Sequence, residues 1–492
     1  MKGIMIQGTA SDVGKSYITT AICRILANEG YKVAPFKSQN MSNNSYVTSD
    51  GKEIGRAQGV QAEAAKAEPN IHMNPILLKP KKDTESEVVL HGEVFKSFDG
   101  FSYRKNFVME RGLEAVKESL SYLEENYDCV VIEGAGSPAE VNLNDREIVN
   151  MRIAEAADVD VILVTDIDRG GSFASIVGTL ELVFEHRHRI KGLIFNKFRG
   201  DIKLLEDGLQ WVEEYTGVKV LGVIPYMNDI YVEVEDAQSN HLEHNFDTDK
   251  PLDIGVIHME RVSNNTDLEP FIHEPDVSIR IISKASQFGN PDAIIIPGTK
   301  STIADLNALK EKGLSEKIKN YYQQGGTIFG ICGGYQALGQ TIKDPVGVDN
   351  KKKMSIEGLG ILPVNTIFED SKQVRKVSGK VNEHYNSSLV SGYEIHLGNT
   401  TYSGEVNVFC ELEDGTKDGC IINDGQVVGT YLHNVFHNDS LRNAWLNELR
   451  IKHNLIEREI INTTTIKEDS YEKLADEVKK HIDMDLLREL IK

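Results

Sequence analysis

Cysteine is scarce in this chain, and its few thiols are scattered. The five cysteines among 492 residues include no CxxC pair, so the sequence has neither the framework of a disulfide-rich secreted domain nor a zinc ligand set. No apolar run reaches membrane-spanning length, and the N-terminus lacks the charged region and cleavage site of a signal peptide. We therefore expect a cytoplasmic protein that does not enter a membrane.

Positive charge is also in short supply. Lysine and arginine total 54 against 75 acidic residues, which gives a formal net charge of −21 at pH 7. A general nucleic-acid-binding protein presents a basic face, so this balance argues against nucleic acid as a partner. It does not argue against an anionic small substrate, because a local basic pocket can exist on an acidic protein.

The chain is too long for one ordinary domain, and its apolar runs fall into two series. In each series short β-branched runs alternate with helical patterns. This predicts an α/β fold with two doubly wound domains, each a mostly parallel sheet covered by helices. A polar, acidic stretch separates the two series. The predicted divisions are a first domain at 1–235, a linker at 236–250, a second domain at 251–441 and a helical C-terminal extension at 442–492.

The first strand pattern runs directly into a glycine-bounded loop, GTASDVGKS, which a helical pattern follows. These are the parts of a phosphate-binding loop, in which backbone N–H groups, a lysine ammonium and a hydroxyl that reaches magnesium face the phosphates. Five residues separate the two glycines, one more than in the standard loop. An ordinary strand-to-helix turn is the simpler alternative. The predicted ATP-binding residues of the loop are Gly8, Thr9, Asp12, Val13, Gly14, Lys15 and Ser16.

Polar residues end two further strand patterns of this series, and the C-terminal ends of parallel strands share one edge of a sheet. Glu133 ends a β-branched run, at the position where a phosphate-loop enzyme holds its magnesium. A strand-end carboxylate without a ligand is the alternative. Asn196 is suited to hydrogen-bond an adenine edge, although a turn-forming asparagine is an equally simple account.

The segment FGICGGYQALG places Cys332 between an apolar run and two glycines that open a helical pattern. Such a pattern presents a thiol at a sharp strand-to-helix turn, where the helix N-terminus favours thiolate. His433 ends a strand pattern about a hundred residues downstream, and thiol–imidazole chemistry needs this combination. The turn at Gly298 follows another strand and offers backbone N–H groups to an oxyanion. A buried structural cysteine and a core histidine are the alternatives.

Several segments together resemble a known family. The Cys332 segment resembles the nucleophile turn of class I glutamine amidotransferases, and GTYLHNVF around His433 resembles their histidine segment. The loop GTASDVGKS is similar to that of dethiobiotin synthetase and its relatives, which share the longer glycine spacing. With PFKSQNMSNNS, GRAQGVQAEAA, IEGAGSPAEVNL and IIPGTKST, these motifs resemble the cobyric acid synthases.

The resemblance implies a glutamine- and ATP-dependent ligase of cobalamin biosynthesis. Cobyric acid synthases amidate the b, d, e and g carboxylates of adenosylcobyrinic acid a,c-diamide, a corrinoid, through acyl phosphates. Cys332 would then release ammonia from glutamine while His433 moves the proton. Backbone N–H groups near Gly298 and Gly333 would hold the oxyanion.

For the ATP site, the resemblance implies that Lys15 and Mg²⁺ balance the phosphate charge. Lys37 is expected to face phosphates or substrate carboxylates. The expected metal ligands are Ser16 and Glu133, with Glu53 or Asp50 as further candidates.

Two positions depart from the family pattern. Class I amidotransferases often carry an acid two residues after the histidine, and this chain has Val435 there. The pair is then a dyad, or another acid such as Glu394 orients His433. Glu147 stands where an aspartate is expected. If this carboxylate helps to activate the substrate, its longer side chain would alter the rate or the order of amidation.

Two other activities fit part of the sequence. Cobyrinic acid a,c-diamide synthase has a similar two-domain plan but amidates a different pair of carboxylates, and the segments PFKSQNMSNNS and GRAQGVQAEAA favour the b, d, e, g enzyme. A nucleotide-dependent switch ATPase with a degenerate glutaminase domain would hydrolyse ATP without regard to glutamine. The intact Cys332 and His433 argue against that reading.

Overall fold

Two α/β units make up the chain. The computed structural model describes residues 1–82, 85–142, 147–227, 230–232, 250–349 and 352–491. The first unit is Met1–Gln238 with Thr464–Lys492, and the second is Ser239–Thr463. Of the predicted linker at 236–250, only Lys250 lies among the described residues. The predicted fold class, two domains built on mostly parallel sheets with a helical tail, is confirmed.

The first unit is organised by a parallel sheet. Its strands are β1 (Gly3–Gly8), β2 (Val33–Phe36), β3 (Gln39–Met41), β4 (Ser45–Val47), β5 (Glu53–Gly55), β6 (Ile76–Lys82), β7 (Glu85–Leu90), β8 (Glu93–Asp99), β9 (Cys129–Glu133), β10 (Asp160–Asp166), β11 (Ile190–Phe198) and β12 (Lys219–Pro225). Six of them form the parallel sheet β12-β11-β10-β1-β9-β2, while β3-β6-β7-β8 and β4-β5 form two smaller sheets.

Helices cover both faces of this sheet. Among the described residues of both units, the α-helices in chain order are α1 (Lys15–Asn28), α2 (Arg56–Ala64), α3 (Gly100–Ser102), α4 (Leu113–Asn126), α5 (Met151–Ala157), α6 (Ser172–Leu182), α7 (Glu206–Thr216), α8 (Thr302–Glu311), α9 (Leu314–Gln323), α10 (Gly333–Leu338), α11 (Asp439–Lys452), α12 (Thr463–His481) and α13 (Met484–Leu490). A π-helical segment, Tyr103–Gly112, precedes α4. Because both sheet faces are buried, the central strands are apolar without strict alternation.

The second unit has a sheet that is parallel except at one edge. Its strands are β13 (Leu252–Ile257), β14 (Val277–Ile282), β15 (Ala293–Ile296), β16 (Thr327–Ile331), β17 (Thr341–Asp344), β18 (Met354–Glu357), β19 (Val364–Val381), β20 (Leu389–Tyr402), β21 (Cys410–Leu412), β22 (Lys417–Asp418), β23 (Cys420–Ile422) and β24 (Val427–Thr430). The main sheet has the order β14-β13-β15-β16-β24-β23, with β23 antiparallel, and a second sheet is built around the long hairpin β19–β20.

The C-terminal residues predicted as one helical extension, 442–492, are divided between the two units. Trp445 on α11 is 1% exposed and belongs to the core of the second unit. Leu474 on α12 belongs instead to the first unit, where it shares a core with Ile4 and Ile6 of β1. Met5 points to the opposite core of the same unit. Within the described ranges, no helix has the length and apolar character needed to cross a membrane.

This packing makes α12 a structural part of the first unit. Replacing the fully buried Leu474 by alanine leaves a cavity against β1, so we expect Leu474→Ala to lower the free energy of unfolding by about 2–5 kcal/mol. The neighbouring Lys473 is exposed, and Lys473→Ala is the control. Urea unfolding of the full chain measures both, and equal midpoints for the two variants would contradict the packing role of α12.

Candidate active sites

The strand order of the first unit brings the predicted ATP-site residues to one edge of its parallel sheet. The phosphate loop follows β1, Glu133 ends β9, Lys37 follows β2, and Asn196 lies near the end of β11. These strands are parallel members of one sheet. Their C-terminal ends therefore meet at the edge where α/β proteins bind ligands.

The phosphate loop is held in its conformation by neighbouring side chains. Gly14 has φ 97°, and a Cβ there would lie 2.1 Å from Asn196 Nδ2, so this position requires glycine. Asn196 Nδ2 donates to the Val13 carbonyl at 2.9 Å. Lys197 Nζ donates to the Asp12 carbonyl at 2.5 Å. The Asn196 amide group thus positions the loop. Its contact with an adenine edge stays a prediction.

Two other loop side chains have local partners. Lys15 Nζ donates to the Ala10 carbonyl at 3.1 Å, within the loop itself. Thr9 Oγ1 donates to Thr165 Oγ1 at 3.1 Å. The Lys15 ammonium therefore lies over the loop that carries it, as a phosphate-binding lysine must.

Glu133 is the centre of a buried polar cluster. It is 1% exposed, and its Oε1 accepts hydrogen bonds from Ser16 Oγ and Lys37 Nζ, each at 2.9 Å. Gln61 Nε2 of α2 donates to Oε2 at 2.5 Å. Burial acts to raise the pKa of Glu133, but the Lys37 ammonium and the Gln61 amide outweigh burial and hold this pKa below its ordinary value. The carboxylate is therefore ionised.

Ser16 and Glu133 form a donor set that fits magnesium. Mg²⁺ is usually held by one or two protein oxygens together with water and phosphate oxygens. A hydroxyl and an ionised carboxylate 2.9 Å apart, beside a phosphate loop, meet that requirement. Among the described residues, no group of three or more His, Cys, Asp or Glu side chains could hold a metal by itself. Phosphate oxygens would have to complete the coordination.

Glu53 lies in a second buried polar cluster. It is 1% exposed, accepts a hydrogen bond from Ser45 Oγ at 2.6 Å, and forms a buried ion pair with Lys79. Like Glu133 it has a serine and a lysine as partners, but these come from β4 and β6, whereas Ser16 belongs to the phosphate loop. Asp50 is exposed in a turn and accepts from Thr48 Oγ1.

Glu147 caps a helix. Its carboxylate accepts from the backbone N–H groups of Val149, Asn150 and Arg152, just before and within the first turn of α5. A carboxylate at this end also complements the helix dipole. Residues 143–146 of the same segment lie outside the described residues.

In the second unit Cys332 lies on a strained turn between β16 and α10. Its backbone has φ 51° and ψ −108°, which is unusual for a residue with a Cβ. A Cβ on Gly334 would lie 1.9 Å from the Ile296 carbonyl oxygen, so the turn requires glycine there. The Cys332 side chain is 5% exposed, and its Sγ lies 3.5 Å from the Ile395 carbonyl oxygen. The predicted strand–cysteine–helix arrangement is present.

His433 and Cys332 end neighbouring parallel strands. Ile331 of β16 pairs with Thr430 of β24, so the residues that follow these strands lie side by side. A Cβ on Gly298, which follows β15, would lie 2.8 Å from His433 Cε1 and 3.6 Å from Cys332 Cβ. The turn predicted to face the oxyanion therefore lies against both side chains.

An acid that the sequence did not indicate orients His433. Asp267 Oδ2 lies 2.7 Å from His433 Nδ1, and both side chains are buried. Burial acts to lower the pKa of His433, but the Asp267 carboxylate and the neighbouring Cys332 sulfur outweigh it and raise this pKa to about 10. The imidazole is therefore protonated at neutral pH. Tyr393 stacks on its ring, with 5.2 Å between the ring centroids.

Asp267 replaces Glu394 as the partner of His433. The Glu394 carboxylate accepts from Arg375 Nε at 2.6 Å. Asp267 lies in a 3₁₀ segment, Asn265–His273, about 170 residues before the histidine. The order of triad residues along a chain differs between folds. The segment SNNTDLEPF therefore gave no signal, since Asp267 lies well beyond the end of β13 at Ile257.

Each unit matches the model of a known domain family, and some proteins are similar to this chain over almost its whole length. Residues 4–240 match a CobQ/CobB/MinD/ParA nucleotide binding domain, and residues 253–441 match a CobB/CobQ-like glutamine amidotransferase domain. A Geobacillus protein named cobyric acid synthase is 48% identical over 492 residues, 99% of this chain and 97% of that protein. Proteins of the same name from Anoxybacillus flavithermus and Clostridium tetani are 49% and 46% identical, over 98% and 99% of this chain and 95% and 98% of theirs.

The contact between Asp267 and His433 predicts a pH effect. In Asp267→Asn the largest charge that raises the His433 pKa is gone, while burial and the Cys332 sulfur remain, so the pKa should fall below about 10. We expect the kcat/KM for glutamine hydrolysis to drop roughly 10²–10⁴-fold, with an altered pH profile between about pH 6 and pH 10.

Glu394→Gln is the matched control, because it neutralises the acid that sequence reasoning suggested. The pH profile of glutamine hydrolysis should keep its wild-type shape in this variant. A profile that shifts in Glu394→Gln and not in Asp267→Asn would overturn the assignment of Asp267.

Proposed function

The chain belongs to the cobyric acid synthase family, and we propose that it amidates the b, d, e and g carboxylates of adenosylcobyrinic acid a,c-diamide. It is a glutamine-dependent amidotransferase ligase of cobalamin biosynthesis that uses ATP and acts on a corrinoid. The observation that carries the proposal is that one chain holds both a strained cysteine beside a histidine and a phosphate loop beside a buried glutamate.

In the glutaminase reaction, the Cys332 sulfur attacks the carboxamide carbon of glutamine. The C–N bond breaks, ammonia leaves with a proton from the His433 imidazolium, and a γ-glutamyl thioester remains on Cys332. His433 then takes a proton from the water that hydrolyses this thioester. The Asp267 carboxylate holds the imidazole by Nδ1 throughout, which supports the charged form of the ring.

The oxyanion formed in each half of this reaction needs nearby N–H donors. Gly333 is the first residue of α10, and the N–H groups of a first helical turn have no partner inside the helix. The Gly298 turn lies against both Cys332 and His433. We assign the backbone amides around these two glycines to the oxyanion.

In the synthetase reaction, a corrinoid carboxylate attacks the γ-phosphorus of ATP and displaces ADP, which gives an acyl phosphate. Lys15, on the phosphate loop, balances the negative charge of the transferring group. Lys37 holds the Glu133 carboxylate and lies at the same site. Ser16 and Glu133 would hold Mg²⁺, which when bound neutralises phosphate charge.

The free state of all five cysteines is consistent with a reducing compartment. On this ground we assign the reaction to the cytoplasm. Glu147, which caps α5, is assigned to holding the loop before that helix instead of to contact with the corrinoid.

The products of the reaction test the substrate assignment. With ATP, glutamine and adenosylcobyrinic acid a,c-diamide, mass spectrometry should show the conversion of four carboxylates into four amides. No turnover of this substrate would contradict the proposal. Turnover of cobyrinic acid limited to its a and c positions would identify the a,c-diamide synthase instead.

Substitutions separate the two reactions. Cys332→Ala should lose glutamine-dependent amidation and keep amidation with added ammonium, because the ATP site is intact. Lys15→Ala should lose both, because the carboxylate is no longer phosphorylated. Cys420→Ala, at another buried cysteine of the second unit, should retain both. Loss of the ammonium-dependent activity in Cys332→Ala would contradict the role of Cys332 as the glutaminase nucleophile.

A further inference from the structure

Two glutamines of the segment GRAQGVQAEAA have been assigned no contact with a substrate so far. Gln58 and Gln61 lie on α2, three positions apart, and therefore share one face of the helix. They are 0% and 1% exposed. In a buried glutamine both the oxygen and the nitrogen of the side-chain amide normally have hydrogen-bond partners. Among the described residues, each of these two glutamines has a partner at only one of the two atoms.

Gln61 is oriented by Glu133. An ionised carboxylate only accepts hydrogen bonds, so the amide must present its Nε2 to Glu133 Oε2, as it does at 2.5 Å. This leaves Oε1 facing away, and among the described residues Gln61 Oε1 has no partner. The unsatisfied atom is an acceptor.

Gln58 is oriented by Asn40. The Asn40 Oδ1 accepts from the Met41 N–H at 3.1 Å, which fixes Nδ2 as the other end of that amide. Asn40 Nδ2 donates to Gln58 Oε1 at 3.1 Å. The remaining atom, Gln58 Nε2, has no partner among the residues that the structure describes. Here the unsatisfied atom is a donor.

One helix face thus carries a buried unsatisfied donor and a buried unsatisfied acceptor. Leaving such groups unpaired is unfavourable, and a ligand with the complementary groups removes that cost. The complement of an N–H donor and a C=O acceptor on one helix face is a carbonyl oxygen together with an N–H, as in a primary amide. Gln61 also contacts Glu133, which lies beside Ser16 and Lys37, so this face adjoins the phosphate end of the nucleotide site.

We propose that Gln58 Nε2 binds the carbonyl oxygen of the acyl phosphate and that Gln61 Oε1 binds the incoming ammonia. The inference rests on the proposed function. The nitrogen lone pair forms the C–N bond, the C–O bond to phosphate breaks, and the electron pair leaves on inorganic phosphate, which also takes the proton lost from nitrogen. The product amide then satisfies both glutamines.

The two steps of amidation are measured separately in the full-length protein. Ammonium replaces glutamine as the nitrogen source, so the glutaminase does not enter the measurement. Positional isotope exchange in bridge-labelled ATP, with corrinoid and without ammonia, reports the formation of acyl phosphate. The variants are Gln58→Met and Gln61→Met. Gln39→Met is the matched control, because Gln39 Oε1 already accepts from the Tyr103 hydroxyl at 2.6 Å.

We expect the KM for ammonium to rise roughly tenfold in Gln61→Met, because this variant loses the hydrogen bond to ammonia. The rate of isotope exchange should fall roughly tenfold in Gln58→Met, because this variant loses the hydrogen bond to the acyl phosphate. Neither quantity should change in Gln39→Met. Isotope exchange should also fall in Gln61→Met, which removes a contact to Glu133.

An unchanged rate of isotope exchange in Gln58→Met, or an unchanged KM for ammonium in Gln61→Met, would overturn the pair. So would a loss of isotope exchange in Gln58→Met that is matched by a loss of thermal stability, which would indicate a structural role. If Gln61→Met does not fold, Gln58→Met alone decides. If the wild-type protein itself forms no amide from the corrinoid, the proposed function fails, and the pair with it.

Discussion

The proposed ATP site depends on the buried negative charge of Glu133. A carboxylate that is 1% exposed is costly unless it is paired and hydrogen-bonded. Here the pairing draws together the phosphate loop through Ser16, the end of β2 through Lys37, and α2 through Gln61. Three separate segments are therefore fixed by one anion. The same anion would hold a divalent cation together with phosphate oxygens.

In the second unit a buried charge, the Asp267 carboxylate, changes the protonation state of His433. Burial alone would favour a neutral His433, and the Asp267 carboxylate reverses that preference. The strained Cys332 turn and the Gly298 turn lie against the resulting imidazolium. Parallel strands supply Cys332, His433 and Gly298, so their proximity follows from the strand order β15-β16-β24. Asp267 comes from a 3₁₀ segment outside the sheet.

Whether a site residue follows a strand or lies in a loop explains whether it could be predicted from the sequence. Residues that directly follow apolar strand patterns, such as Glu133 and Cys332, were predicted correctly in position, because parallel strands place their ends at one edge. Asp267 was missed because it follows no strand directly. The contact of Asn196 with Val13 could not be predicted either, because it depends on loop geometry. The division of residues 442–492 between two units was also beyond local patterns, since α11 and α12 are both amphipathic helices and only tertiary packing separates them.

The central claim is that nitrogen released at Cys332 becomes the amide formed at the ATP site. The most direct measurement uses glutamine labelled with ¹⁵N in its side-chain amide, together with ATP and adenosylcobyrinic acid a,c-diamide. The account predicts a corrinoid product in which every new amide carries ¹⁵N, and no product when ATP is omitted. Labelled ammonia without labelled corrinoid, or amidation that proceeds without ATP, would contradict it.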